Sequence, residues 1–147
     1  VPVGFKYFVD GLADGTIDCI ASDHAPHTRE EKEQEYIHAP FGLIGLETTV
    51  PVIMSELVHG GILTPLRAIE AMSTAPARIL GLDPLAIAPG QVASITLIDP
   101  EREKVVEPDG FYSKSRNTPF GGRKYKGWPQ ALVYRGRMIM EGGKVRA

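Results

Sequence analysis

The sequence predicts an α/β fold: the last βα portion of an α/β barrel, followed by a small C-terminal β-module. Three observations carry this. Ile17 to Ala21 are apolar apart from Asp18 and lead into Asp23, His24 and His27. A hydrophobic strand that delivers a carboxylate and imidazoles at its carboxyl end is how an α/β barrel presents groups to a substrate. Helical periodicity surrounds that run up to about residue 82. Beyond it the pattern changes to short strands separated by Gly-rich turns.

The elements follow in order. Phe5, Phe8, Val9 and Leu12 recur at helical spacing over 5–14, and Asp14-Gly15 ends that helix and turns into the strand. The polar run Thr28 to Glu35 reads as a solvated loop or a short exposed helix. Ala39-Pro40-Phe41-Gly42 and Gly45 make a flexible segment. Leu46, Val50, Ile53, Met54, Leu57 and Val58 mark the next helix, which Gly60-Gly61 stops. Pro51 falls in its first turns, where a missing N–H is tolerated best. Thr64 then caps a helix with Pro65 at its first position, and Leu66, Ile69 and Met72 give that helix its apolar face. Ser73 or Thr74 caps a further short helix closed by Gly81. Val92 to Ile98 reads as a strand, 108–129 as a long irregular stretch. Leu132-Val133-Tyr134 and Met138-Ile139-Met140 flank a hairpin turn at Arg135-Gly136-Arg137. Gly142-Gly143 then turns into Lys144-Val145-Arg146.

A lone buried parallel strand cannot satisfy its own backbone, because its N–H and C=O groups need neighbouring strands. The first 82 residues offer none. The chain is therefore expected to be the end of a longer protein, with 1–82 supplying the last βα unit or units of a barrel and 83–147 the β-module with its connecting segment. A missing N-terminal barrel portion is then its first partner.

Composition sets further bounds. The chain has 147 residues, 43% hydrophobic and 23% charged, with a net charge of −2, which excludes a basic nucleic-acid stripe; aromatics are only 7%. It has neither an 18-residue apolar run nor a signal-peptide pattern, so a soluble cytoplasmic protein without membrane association is expected. Its single cysteine, Cys19, cannot form an internal disulfide and is expected to be buried and inert.

Ser-Asp-His-Ala-Pro-His at 22–27, Pro-Phe-Gly-Leu-Ile-Gly-Leu-Glu-Thr at 40–48 and Ser-Arg-Asn-Thr-Pro-Phe at 115–120 resemble the bacterial-type dihydroorotases of the amidohydrolase superfamily. Ala88 to Ile95 is similar to the superfamily's re-entry into its β-module, with Ser94 where an Asp is usual. The resemblance implies a metal-dependent-hydrolase (β/α)8 TIM barrel with a small C-terminal β-sandwich module. The implied activity is zinc-dependent, reversible hydrolysis of L-dihydroorotate to N-carbamoyl-L-aspartate in pyrimidine biosynthesis. One or two zinc ions at the barrel mouth would polarise a carbonyl and activate water. By the same resemblance Asp23 is the catalytic aspartate and a metal ligand, His27 binds substrate, and Phe41 and Gly42 contact the substrate ring through their backbone. A homodimer or a complex with aspartate transcarbamoylase is the implied assembly. Two other readings stand beside this one. The first is a hydantoinase-like cyclic amidase, and the second is a non-catalytic dihydroorotase-like scaffold subunit of aspartate transcarbamoylase.

The chemistry suits these residue types. A carboxylate can take a proton from water and pass it to a leaving nitrogen, whereas Asp23 read by itself could equally be an N-cap of a following turn. His27 can offer an N–H to an anionic carboxylate; a loop histidine bonded to backbone is the blander alternative. Gly42 permits close backbone approach to a ligand. His24 is either a supporting partner or a packed loop residue, His38 and His59 are structural or solvent-facing, and Lys114, Arg116 and Asn117 anchor the β-module against the barrel. Catalytic zinc takes three protein ligands plus an open position. Asp23 alone cannot supply them, so the 147-residue chain by itself is expected to be inactive and to bind zinc poorly.

Overall fold

Helices fill the first part of the chain and a meander of strands fills the second. The computed structural model describes residues 3–82 and 86–146, with the side chains of residues 3–5 (among them the expected helix-face residue Phe5) outside the described part. Helix α1, Val3–Asp14, ends as the sequence predicts: Gly15 takes φ +87° and the Asp14 carboxylate accepts the Thr16 N–H at 2.8 Å. Its face is only partly as expected, since Leu12 packs on the core while Phe8 is exposed. Helix α2, Arg29–Lys32, is the short exposed option of the polar run. Thr28 caps it with a reciprocal capping box to Glu31.

The predicted strand at 17–21 does not form: Ile17 lies in a bend, 18–21 take no regular structure, and the segment pairs with no strand among the described residues. Its backbone is instead tied to helices: the Ile20 N–H donates to Ala71 O at 2.9 Å, and the Arg67 guanidinium donates to Leu12 O at 3.0 Å and to Ile17 O at 2.7 Å. Cys19 is half-buried rather than enclosed. Without neighbouring strands the segment lacks the lateral cover that would make it a barrel stave. Just beyond it, His24 forms a parallel bridge to Leu43, the one isolated bridge among the described residues.

Helix α3, Thr49–Ile53, runs straight into a π-helical stretch, Met54–His59, with Pro51 buried in the first turn. Helix α4, Pro65–Ile69, starts at a Thr64 cap that accepts the Arg67 N–H. It continues through a π-helical stretch, Glu70–Thr74, into α5, Ala75–Ile79. The helix does not restart at Ser73 or Thr74, and Thr74 makes no side-chain cap. Gly81 closes α5, with φ +66° and the paired bonds Leu82 N–H to Ala77 O and Gly81 N–H to Arg78 O. The buried face of this long helix is Ala68, Ala71 and Ala75, not the expected Leu66, Ile69 and Met72; Leu66 and Ile69 are exposed and Met72 is only partly buried. Alanines let the helix backbone approach the 17–21 segment closely enough for the Ile20–Ala71 bond, which larger side chains would hold off. Ile53, Leu63 and Ala68 form the core of this half.

The second half is one antiparallel sheet in the order β1-β2-β3-β4. Strand β1, Ile95–Val105, begins three residues later and runs seven residues further than the Val92–Ile98 pattern predicts. Pro100 and the charged Glu101-Arg102-Glu103 hide it in the sequence, and they are tolerated because β1 is an edge strand with a register shift at that point. Strand β2, Lys124–Tyr134, takes its first six residues from the stretch expected to be irregular, which begins instead with a 3₁₀ turn at Pro108–Gly110. Strand β3, Arg137–Glu141, follows the predicted hairpin: Arg135 and Gly136 have φ +49° and +78°, the two left-handed positions of a type I′ turn. Gly142-Gly143 turns into β4, Lys144–Val145. A second sheet, the other layer of the expected sandwich, is not present among the described residues.

The sheet packs back on α3. The Ser55 hydroxyl accepts the Lys126 N–H at 2.6 Å and donates to Lys126 O at 3.2 Å. Gly127, at φ +81°, lies so close to Met54 that a Cβ there would sit 2.2 Å from the Met54 Cβ.

Candidate active site

The stretches 22–27, 40–48 and 115–120 come together at one place. The parallel bridge sets 23–27 beside 41–45, and the Ala25 N–H donates to Leu43 O at 2.9 Å. His27 Nε2 lies 2.9 Å from Phe41 O, so that nitrogen carries the proton and donates. The other ring nitrogen, Nδ1, faces the Glu31 carboxylate at 3.7 Å. Glu31 accepts the Thr28 N–H at 2.8 Å, and this bond holds its carboxyl below the ordinary range, helped by the Thr28 hydroxyl and by His27. Burial opposes the shift but does not reverse it. The His27 ring is thereby fixed from both ends.

Gly42 has φ +107°, and a Cβ there would come within 2.6 Å of Ala25 Cβ and 3.7 Å of His27 Nε2. Glycine is required here for both reasons. Phe41 is exposed on the outside of this turn. Among the described residues the Phe41 and Gly42 N–H groups have no hydrogen-bond partner, so both donors are free to meet a ligand. Lys32 Nζ holds the turn from beneath, donating to Pro40 O at 2.9 Å and Gly42 O at 3.2 Å.

Asp23 sits at φ +43°, in the left-handed region that few non-glycine residues occupy and that Asp tolerates better than most. It is exposed and makes no hydrogen bond or ion pair among the described residues. The structure therefore brings His27, Phe41 and Gly42 into contact and leaves Asp23 on the adjoining surface. Among the described residues no group of three or more His, Cys, Asp or Glu could hold a metal ion. The donors of this chain do not by themselves fit a catalytic zinc site, which needs three protein ligands.

His24 supports the loop: its Nδ1 accepts the N–H groups of Gly45 at 3.1 Å and Leu46 at 3.3 Å. His59 is structural, donating from Nε2 to Pro100 O at 2.8 Å, and His38 is exposed. The 113–117 loop joins from the other half of the chain. Ser115 Oγ donates to His27 O at 2.8 Å, and Asn117 Nδ2 donates to Ala25 O at 3.0 Å and Gly42 O at 3.3 Å. Arg116 does not reach across; it bonds carbonyls of its own loop. Sequence reasoning did not find Lys32, Ser115 or Glu47, whose carboxylate accepts the Tyr112 and Ser113 N–H groups at 3.0 and 3.1 Å. Only the Thr28-to-Glu31 capping box had a readable signal, its four-residue Thr-x-x-Glu spacing.

A segment ending in Asp23-His24, flanked by helices and bonded just beyond by the loop before β2, is a fragment of a TIM-barrel metallo-hydrolase fold. The chain belongs to the amidohydrolase family, whose model matches residues 3–139. It is 53% identical to a dihydroorotase of Pelotomaculum thermopropionicum over 137 residues, covering 93% of this chain and 32% of that protein. It is 44% identical to a dihydroorotase of Bacillus subtilis, again over 93% of this chain and 32% of the relative. Among solved structures it superposes on a D-hydantoinase (dihydropyrimidinase) from Thermus sp. with a TM-score of 0.87 at 27% identity, over 96% of this chain and 32% of that one. An inactive dihydroorotase-like domain of a Chaetomium thermophilum CAD-like multifunctional protein shares the fold at a TM-score of 0.72 and 19% identity, over 99% of this chain and 38% of that one. The chain thus spans about a third of the length of the relatives it matches. No helix among the described residues is long and apolar enough to cross a membrane.

Proposed function

We propose that the complete protein is a dihydroorotase that hydrolyses L-dihydroorotate to N-carbamoyl-L-aspartate and closes the ring in reverse. The observation that carries this reading is the convergence of 22–27, 40–48 and 115–120 on one turn, where His27 touches Phe41 and two backbone donors stand free. The 44–53% identity to dihydroorotases, against 21–29% to the hydantoinases and dihydropyrimidinases with similar folds, favours dihydroorotate over hydantoins.

In this reading Asp23 accepts the proton of the attacking water and returns it to the ring nitrogen as the amide C–N bond breaks. Its left-handed backbone fits a role under local constraint, because strained residues gather where function needs them. His27 binds the substrate carboxylate by turning its Nε2–H from the Phe41 carbonyl to that anion. The Phe41 and Gly42 N–H groups donate to the ring. Family membership implies a metal, and zinc, one or two ions, is our proposal for it. Asp23 would be one ligand, and the remaining donors would lie outside these 147 residues. The sheet would be one layer of a β-sandwich module beginning near residue 83, since apolar Leu97 and Val105 stand exposed on it. A cytoplasmic homodimer, or a complex with aspartate transcarbamoylase, is the assembly this reading carries.

The test is a substrate comparison with the full-length protein. Turnover of dihydroorotate should exceed turnover of hydantoin and dihydrouracil by orders of magnitude. Preference for the ring without a carboxylate would select the hydantoinase reading. Loss of all turnover at full zinc loading would select the scaffold reading, which the inactive Chaetomium domain illustrates for this fold.

A further inference from the structure

Asn117 has an unusual position. Its Nδ2 donates to two carbonyl oxygens on different segments, Ala25 O and Gly42 O, and its own backbone carbonyl accepts the Ile44 N–H at 3.1 Å. Its Oδ1 is buried with no hydrogen-bond partner among the described residues. The orientation of the amide is fixed by these contacts, because only nitrogen can face two carbonyl oxygens. An acceptor left buried and unpaired is unfavourable. The amide is therefore held by what its nitrogen does and not by satisfaction of its oxygen.

The consequence is geometric. Ala25 lies between Asp23 and His27, and Gly42 is the turn that His27 touches. One side-chain nitrogen thus bonds both the segment bearing Asp23 and His27 and the turn bearing the free Phe41 and Gly42 donors, reinforcing the Ala25 N–H to Leu43 O bond that sets them side by side. Ser115 Oγ, two residues earlier, pins the other end of the first segment at His27 O. Both clamps come from the loop before β2, far along the chain.

We infer that Asn117 is a positioning residue: it spaces the two segments that bind substrate, and the C-terminal module uses it to tune substrate affinity. This deepens the dihydroorotase reading and rests on it for its kinetic consequence. The test compares wild type with Asn117→Asp, Asn117→Ala and Ser115→Ala in the full-length protein, by steady-state kinetics and by hydrogen–deuterium exchange. Asn117→Asp keeps the shape and replaces the shared donor with an acceptor facing two carbonyls. It should raise KM for dihydroorotate by about tenfold, the effect of one lost polar contact, and leave kcat within a few-fold. Asn117→Ala should do the same, and Ser115→Ala less. Exchange should quicken in residues 40–46 and not in residues 65–79. The inference is overturned if KM and exchange in 40–46 both stay at wild-type values. It is equally overturned if kcat and KM change together with exchange rising throughout, which marks general destabilisation. Should the wild type fail to turn over dihydroorotate, the functional reading falls; quickened exchange confined to 40–46 would still support the clamp, and unchanged exchange would remove it.

Discussion

At the scale of single residues, Asp23 combines two properties that a substitution can separate. In the proposed reaction its carboxylate transfers the proton, and its backbone occupies φ +43°. Asn tolerates that conformation as Asp does, so Asp23→Asn removes the acid–base group without adding backbone strain. In the full-length protein the variant should lose about 10²–10⁴ in kcat, the usual range for a positioned proton-transfer group, and melt above Asp23→Ala at equal zinc loading. Asp23→Ala should lose similar activity and also about 1–2 kcal/mol of stability, the penalty for an ordinary residue in the left-handed region. Steady-state kinetics and thermal melts on the pair separate the two effects; a kcat near wild type in the Asn variant would remove Asp23 from the chemistry. His27 shows where residue types alone do not decide. The sequence leaves two readings, a donor to a ligand or a loop histidine bonded to backbone, and the fold shows the second contact, engaging Nε2 with Phe41 O and directing Nδ1 to Glu31. Both partners follow it in the chain, Glu31 by one helical turn and Phe41 across a loop, and only the first spacing is visible in advance.

At the scale of elements, what could be read were the stops and turns. Asp14-Gly15, Gly60-Gly61, Thr64-Pro65, Gly81 and Arg135-Gly136 all do what their chemistry dictates, because each is decided by its own φ or cap. Burial faces were less legible. The choice of Ala68, Ala71 and Ala75 over Leu66 and Ile69 depends on how closely a neighbouring segment approaches, which no periodicity encodes. Strand β2 was hidden for a related reason: Gly127 and Pro129 look like loop residues, yet Gly127 is small because Met54, at the start of the π-helical stretch after α3, lies against it. This yields a prediction about the joint between the two halves. Gly127→Ala forces a Cβ into Met54 at a positive φ, so it should destabilise the protein by about 1–3 kcal/mol, the range for overpacking a filled site. Met54→Gly in the same background, which removes the Cβ that an alanine would keep, should recover part of that loss, while costing stability in the wild-type background. Denaturant melts of the four proteins give the coupling directly. Purely additive losses would mean that Met54 does not set the size limit at residue 127.

At the scale of the whole molecule, exposed surface decides how far these residues stand alone. The accessible surface is 10328 Å². A folded monomer of 16.0 kDa exposes about 7,400 Å², so this fold leaves roughly 2,900 Å² more open than a self-contained domain would. Large apolar side chains stand on that surface, including Phe41, Leu66, Ile79 and Leu80. The segment at 17–21 has no strand beside it, and the described residues assemble no set of three metal donors. These observations share one physical meaning: the groups that would cover the apolar faces are also the ones that would pair the segment and complete the metal site. Zinc binding is therefore expected to follow completion of the barrel rather than to precede it. The 147-residue chain expressed by itself should retain only substoichiometric zinc after dialysis, show no dihydroorotate turnover, and melt well below the full-length protein. The full-length protein should hold stoichiometric zinc, and chelation should abolish its activity and lower its melting temperature, because a ligand bound only by the native state stabilises it. Stoichiometric zinc and turnover in the short chain would mean that its own residues build a site this geometry does not contain, and the assignment of the missing donors to other parts of the protein would fall.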